Sequence, residues 1–167
     1  MNMDRVSLKA SAVIGVIGMG IILLIYFRPV TIERNYSAYI YAENSEFQKP
    51  TEIKLDGKLK KKLSLNHVFV GTIEVDGIKK EVILKRIWAN NNIFKSMGYT
   101  TFIETKNVSS GQYEIIGSLD TSKDFNEILI RLSEVDSKYS GEFNICGPSS
   151  TKEEGKAIFK SLVDNLH

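Results

Sequence analysis

The chain has 167 residues, 43% of them hydrophobic, with 22 basic residues against 20 acidic and a formal net charge of +2. A balance this even leaves no polycationic footprint, so nucleic acid is not expected as a partner. The one cysteine, Cys146, excludes an intrachain disulfide and a cysteine-based zinc site; the only histidines are His67 and His167, so neither a metal nor a cofactor is expected.

Residues 1–9 form a short flank. The run Ala10–Phe27 then contains no charge and no proline. As a helix it spans about 27 Å, close to the hydrocarbon thickness of a bilayer. A cleaved signal would need small residues after the run, whereas Tyr26, Phe27, Arg28 and Pro29 are bulky, charged or cyclic. A core helix would normally show a polar face, and this run has none beyond Ser11. The reading is therefore an uncleaved transmembrane anchor, with Tyr26 and Phe27 at the interface. Ser11, Gly15 and Gly18 form a small-residue face that could pack against another helix. Arg5 and Lys9 against Asp4 give the short flank a slight positive excess, which favours the N-terminus in the cytoplasm and the domain outside.

Residues 28–167 have the size and composition of one domain with its own core. Val30 to Ala42 reads as a strand, with Tyr36, Ala38, Ile40 and Ala42 on one face and Ser37, Tyr39 and Tyr41 on the other. Glu43 to Pro50 reads as a polar loop. Two Asp-Gly hairpins are expected next. Around Asp56-Gly57, a three-residue loop would set Leu55 opposite Leu59. At Asp76-Gly77, a two-residue turn sets Val75 opposite Ile78, Glu74 opposite Lys79 and Phe69 opposite Leu84. Ala89 to Asn92 is a turn, and Tyr99–Thr105 and Gln112–Leu119 are further strands. Phe125 to Leu132 fits either a helix stripe or a short strand; we read it as a strand. Phe143 to Cys146 is a short strand. Ser150 and Glu153 form a capping box for a C-terminal helix, whose stripe is Ile158, Phe159, Leu162 and Leu166. The order points to an α+β domain: a mainly antiparallel sheet with one C-terminal helix packed on it.

Two stretches, Leu63–Gly77 and Gly147–Glu154, resemble segments of single-pass membrane proteins from low-GC Gram-positive bacteria. The resemblance covers about a quarter of the chain and implies attachment to a membrane, with no named activity.

Candidate chemistry is sparse. Cys146 and His67 could be imagined as nucleophile and base, but Cys146 ends an apolar strand, where a small buried side chain is the ordinary reading. Glu114, Asp120, Asp124, Glu127, Glu134, Asp136 and Glu142 could supply a carboxylate pair, or simply a solvated acidic face. Lys49 to Arg86 holds ten basic and five acidic residues, and Gly111 to Phe143 three basic and seven acidic. The domain is neutral but polarised. Its densest basic run holds Lys58, Lys60 and Lys62, expected on one strand face with Lys61 opposite. These lysines suit an anionic headgroup or wall polymer, or else guard an edge strand. The leading expectation is a non-enzymatic, membrane-anchored extracytoplasmic domain that binds a partner protein or an anionic envelope component, with the lipid bilayer itself as a partner. The alternatives are an envelope hydrolase with paired carboxylates, and a small accessory or immunity subunit of a membrane complex.

Overall fold

Alternation of apolar and polar side chains runs through most of residues 30–147, and it is spent on strands. The computed structural model describes residues 3–62, 67–89, 92–106 and 113–164. Its strands are β1 (Val30–Tyr41), β2 (Gln48–Lys60), β3 (Val68–Val75), β4 (Ile78–Ala89), β5 (Asn92–Lys106), β6 (Tyr113–Ser122), β7 (Ile128–Leu132) and β8 (Asn144–Gly147). Each pairs antiparallel with the next, and β8 pairs back onto β1, so the sheet closes into a barrel. Helix α1 (Met3–Tyr26) precedes the barrel, α2 (Ser133–Tyr139) lies between β7 and β8, and α3 (Lys152–Asp164) follows. The class is α+β with a C-terminal helix, as expected. Closure and the short α2 go beyond what the sequence reading supplied.

The register fixes the barrel's shape. One row of partners leaves β2 at Lys60 and passes through Val68, Lys85, Thr100, Asp120, Leu129, Cys146 and Tyr39. It returns to β2 at Pro50, ten residues from its start. A stagger of this kind tilts the strands by roughly 35–45° to the axis.

The inward faces fill the barrel. Tyr36, Ala38, Ile40, Ile53, Leu55, Phe69, Ile73, Leu84, Ile103, Leu119, Ile130 and Ile145 are all buried in one core. Aromatic rings close it at both ends. Phe125, in the β6–β7 turn, stacks on Tyr99 at 4.7 Å between ring centres and lies 5.4 Å from Phe69. Its carbonyl accepts the Tyr36 hydroxyl at 2.7 Å. At the opposite end Phe47 packs on Phe143 at 4.7 Å and on Tyr139 at 4.8 Å. Among the described residues the interior is filled with packed side chains. On the outside of β1, β7 and β8, Tyr41, Leu129 and Cys146 make a second cluster with Ile158 and Leu162 of α3.

Three local expectations need correcting. No hairpin forms at Asp56-Gly57: β2 runs straight through it, and Gly57 lies opposite Gly71. The cap of α3 sits one residue later than Ser150–Glu153. Glu154 N donates to Thr151 Oγ1 at 3.2 Å, and Ser150 N donates to the Glu154 carboxylate at 2.6 Å. Alternation holds for Lys58 and Lys60 alone, because β2 ends at Lys60 and leaves Lys61 and Lys62 in the connection. The Asp76-Gly77 hairpin, by contrast, has the expected register throughout. Asp76 and Gly77 take positive φ values of 50° and 83°, as a two-residue turn of this kind requires. Ile128–Leu132 is a strand. Leu166 lies outside the described residues.

Side chains of α1 are described from Val13 onward, so that of Ser11 lies outside them. Among the described residues no helix is long and apolar enough to cross a membrane.

Candidate functional site

Strand direction places several features at one end of the barrel. The entry to β1, the β2–β3 connection and the β4–β5 hairpin all lie where α1 leaves. Tyr26, at the end of α1, packs on Phe27 at 5.2 Å and lies 6.5 Å from the His67 ring. The Lys61 ammonium sits 5.4 Å from the Tyr26 ring centre. Such a contact between a cation and an aromatic face is attractive. Lys62 N donates to His67 Nδ1 at 3.2 Å, which ties Lys62, just past β2, to the residue before β3. Lys58, Lys60 and Lys62 are all exposed at this end. Val30 pairs with Leu59, so the first residue of β1 lies beside the basic run. The fold therefore gathers Lys58, Lys60 and Lys62 next to the exit of α1.

At the other end is a charged knot that the sequence did not announce. Asp76, at the β3–β4 turn, receives Lys49 Nζ on Oδ1 at 2.7 Å. Its Oδ2 receives Lys138 Nζ at 2.7 Å and the Tyr139 hydroxyl at 2.8 Å. Lys49 also donates to the Tyr139 oxygen at 2.5 Å. Burial pushes the Asp76 carboxyl up, but the bonds from Lys138, Lys49 and Tyr139 outweigh it and hold the group down at about 2. Lys80 and Glu134 form a further ion pair between β4 and α2. The knot ties three elements together and leaves Asp76 no free oxygen. It clasps β2, the β3–β4 turn and α2 together.

Several of the described candidate carboxylates are held by local partners. Asp120 accepts the Thr100 hydroxyl at 2.5 Å, and burial pushes its carboxyl up. Glu127 accepts the Ser161 hydroxyl at 3.2 Å. Asp136 accepts Phe143 N at 2.8 Å, and burial together with Glu142 pushes it up. Asp136 and Glu142 do line one surface groove of about 870 Å³, together with Arg131, Tyr139 and Asn144. The Asp136 bond to the backbone there explains its position as a turn brace. Asp124 is exposed, and the side chain of Glu114 lies outside the described residues. Among the described residues no group of His, Cys, Asp and Glu could hold a metal ion.

Cys146 is fully buried beneath α3. Its thiol, 3.9 Å from the Tyr41 hydroxyl, is pushed up to about 12 by burial. A thiol held protonated and covered makes a poor nucleophile. His67 lies at the other end of the barrel and is not its partner.

Gly15 and Gly18 face open space: a Cβ on either would meet nothing within 4 Å. Neither a family model, a curated protein nor a solved structure matches this chain.

Proposed function

We propose that the chain is a single-pass membrane protein: α1 is the anchor, and the barrel is a non-enzymatic binding domain on the outer side of the membrane. The single observation that carries this is the surface of α1. Val13, Ile14, Val16, Ile17, Met19, Ile21, Ile22, Leu24 and Ile25 are all exposed, and together they cover its whole circumference. The described residues place no extended packing of α1 along any strand or helix of the barrel. A helix that is apolar all round needs an apolar surround. Its described side chains, Val13–Tyr26, account for about 21 Å, and the uncharged sequence begins three residues earlier at Ala10. On this reading Lys58, Lys60 and Lys62 meet anionic headgroups or wall polymer where the anchor emerges.

A membrane partner contacting the Gly15 and Gly18 face is the second reading. It is supported by the open space beside both glycines, which lets a second helix approach closely.

The test is extraction. Full-length protein should stay in the membrane fraction through an alkaline carbonate wash, with the mass of the intact chain. The barrel should be open to added protease from the outside of intact cells. Release as a soluble product beginning near Arg28 would overturn the anchor.

A further inference from the structure

We infer that the barrel leans onto the bilayer along one flank, through an apolar row on β3, β4 and β5 edged by lysines. The inference rests on the membrane-anchored reading and adds to it a lipid-contacting surface that the sequence did not suggest.

The row is set by register. Lys58 lies opposite Val70, and Val70 opposite Ile83. Lys85 pairs with Thr100, so stepping two residues along each strand sets Ile83 opposite Phe102. All of these point outward. Val70, Ile83 and Phe102 are 38%, 55% and 67% exposed. A register shift in β6, between the pairs Ile103–Gly117 and Glu104–Ile115, sits next to Ile115, which is 60% exposed and widens the patch. A bulge is a common way to re-aim a side chain. Large apolar side chains gathered on an otherwise polar wall mark a contact surface.

Charge says what the contact is. The neighbouring outward row on the anchor side runs Lys60, Val68, Lys85. The row on the far side runs Asp56, Thr72, Glu81. Lys60, Lys85, Asp56 and Glu81 are all exposed. The sign of charge therefore changes across the apolar row, positive toward the anchor and negative away from it. An anionic plane on the anchor side attracts the first row and repels the last. A second copy could match these rows only with its barrel inverted, which would point the two α1 helices in opposite directions. The flank is also next to the anchor, because Tyr26 and Lys61 meet beside His67, the residue before β3. In the leaning pose Val70, Ile83 and Phe102 reach the glycerol level, and Lys58, Lys60 and Lys85 reach up to phosphates.

The experiment uses the full chain in lipid nanodiscs, either phosphatidylglycerol with phosphatidylcholine or phosphatidylcholine alone. A nitroxide is placed by Ile83→Cys, Phe102→Cys or, as reference on α3, Lys156→Cys. Cys146 is buried and should not take label, which the unsubstituted chain checks. In anionic discs the labels at 83 and 102 should collide several-fold less with a nickel chelate, and more with oxygen, than the label at 156. The difference should shrink in neutral discs and in the Lys60→Gln/Lys85→Gln background. Equal nickel access at all three positions in anionic discs overturns the inference. So does protection from nickel with no gain in oxygen collisions, since a protein and not lipid then covers the row. If the chain stays in the discs while the labels remain exposed, this inference falls alone. If the chain leaves the discs in carbonate, the anchor reading falls with it.

Discussion

Gly57 and Gly71 face each other across β2 and β3, and neither has room for a methyl group. A Cβ on Gly57 would lie 2.4 Å from the Val70 carbonyl oxygen and 2.6 Å from the Phe69 ring. A Cβ on Gly71 would lie 2.1 Å from the Asp56 carbonyl oxygen. The strands cross closely here, and Phe69 lies over the gap. Gly57→Ala and Gly71→Ala should each lower stability by about 1–3 kcal/mol or more in chemical denaturation. Gly77→Ala is the contrast. It meets open space, and its cost comes from φ +83° alone, about 1 kcal/mol.

That pair also shows where sequence reading stops. Asp-Gly followed by alternating residues is a sound hairpin signal, and at Asp76-Gly77 it gave the whole register. At Asp56-Gly57 the same dipeptide serves a close approach between strands, which depends on Gly71 and Phe69, both distant in sequence. Local signals such as the β1 faces, the α3 stripe and the turn at Asp76 were legible. Closure of β8 on β1 was not, because three short pairs carry no periodicity of their own. Helix α2 was missed because its seven residues bring only Val135 into the core. The basic run was visible, but its place beside Tyr26 was not.

The Asp76 clasp makes acid stability testable. The bonds from Lys138, Lys49 and Tyr139 hold the Asp76 carboxyl down at about 2, against an ordinary 3.8. The folded value is depressed, so the contribution is full above about pH 4 and is lost as pH falls from there toward 2. Screened by solvent at this surface turn, the contribution is about 1 kcal/mol. Asp76→Asn should flatten the loss of stability over that window in urea melts at stepped pH. An unchanged acid limb would remove the clasp from the account.

Helix α3 should report both its face and its cap. Leu162 is 5% exposed against Tyr41 and Leu129, and Lys160 is exposed. Leu162→Asp should cost several kcal/mol or prevent folding, while Lys160→Asp stays within about 0.5 kcal/mol. Thr151→Ala should cost about 1 kcal/mol and Ser150→Ala little, which checks the cap register. The reverse order would restore the cap to Ser150.

Cys146 should be inert in the native chain. With its thiol pushed up to about 12 and covered by α3, a disulfide reagent at pH 8 should react only as fast as the protein opens. Denaturant should bring the reaction to completion at once. Fast native modification would mean that α3 does not seal β8.

The lysines at the anchor end can be tested without the anchor, since the barrel closes on its own core. A fragment of residues 29–167 should bind anionic vesicles weakly and lose that binding as salt rises, because each lysine contributes on the order of 1 kcal/mol within a screening length of about 10 Å. Changing Lys58, Lys60 and Lys62 to Gln should weaken that binding several-fold and leave the melting temperature alone. No preference for anionic over neutral vesicles at low salt would leave the run an ordinary solvated face of β2, which the closed barrel gives no edge to guard.

The seam of the barrel has a consequence in time. β1 is the first strand to leave the ribosome, and it cannot complete its pairing until β8 arrives, since Tyr39 must meet Cys146. Every other strand lies between those two positions. Through most of synthesis the chain therefore carries two open edges, with hairpins such as β3–β4 able to form early and the seam forming last. Contacts this distant in sequence make for slow closure. The interval before it is when β1, held next to the end of α1, is most exposed to capture by another strand.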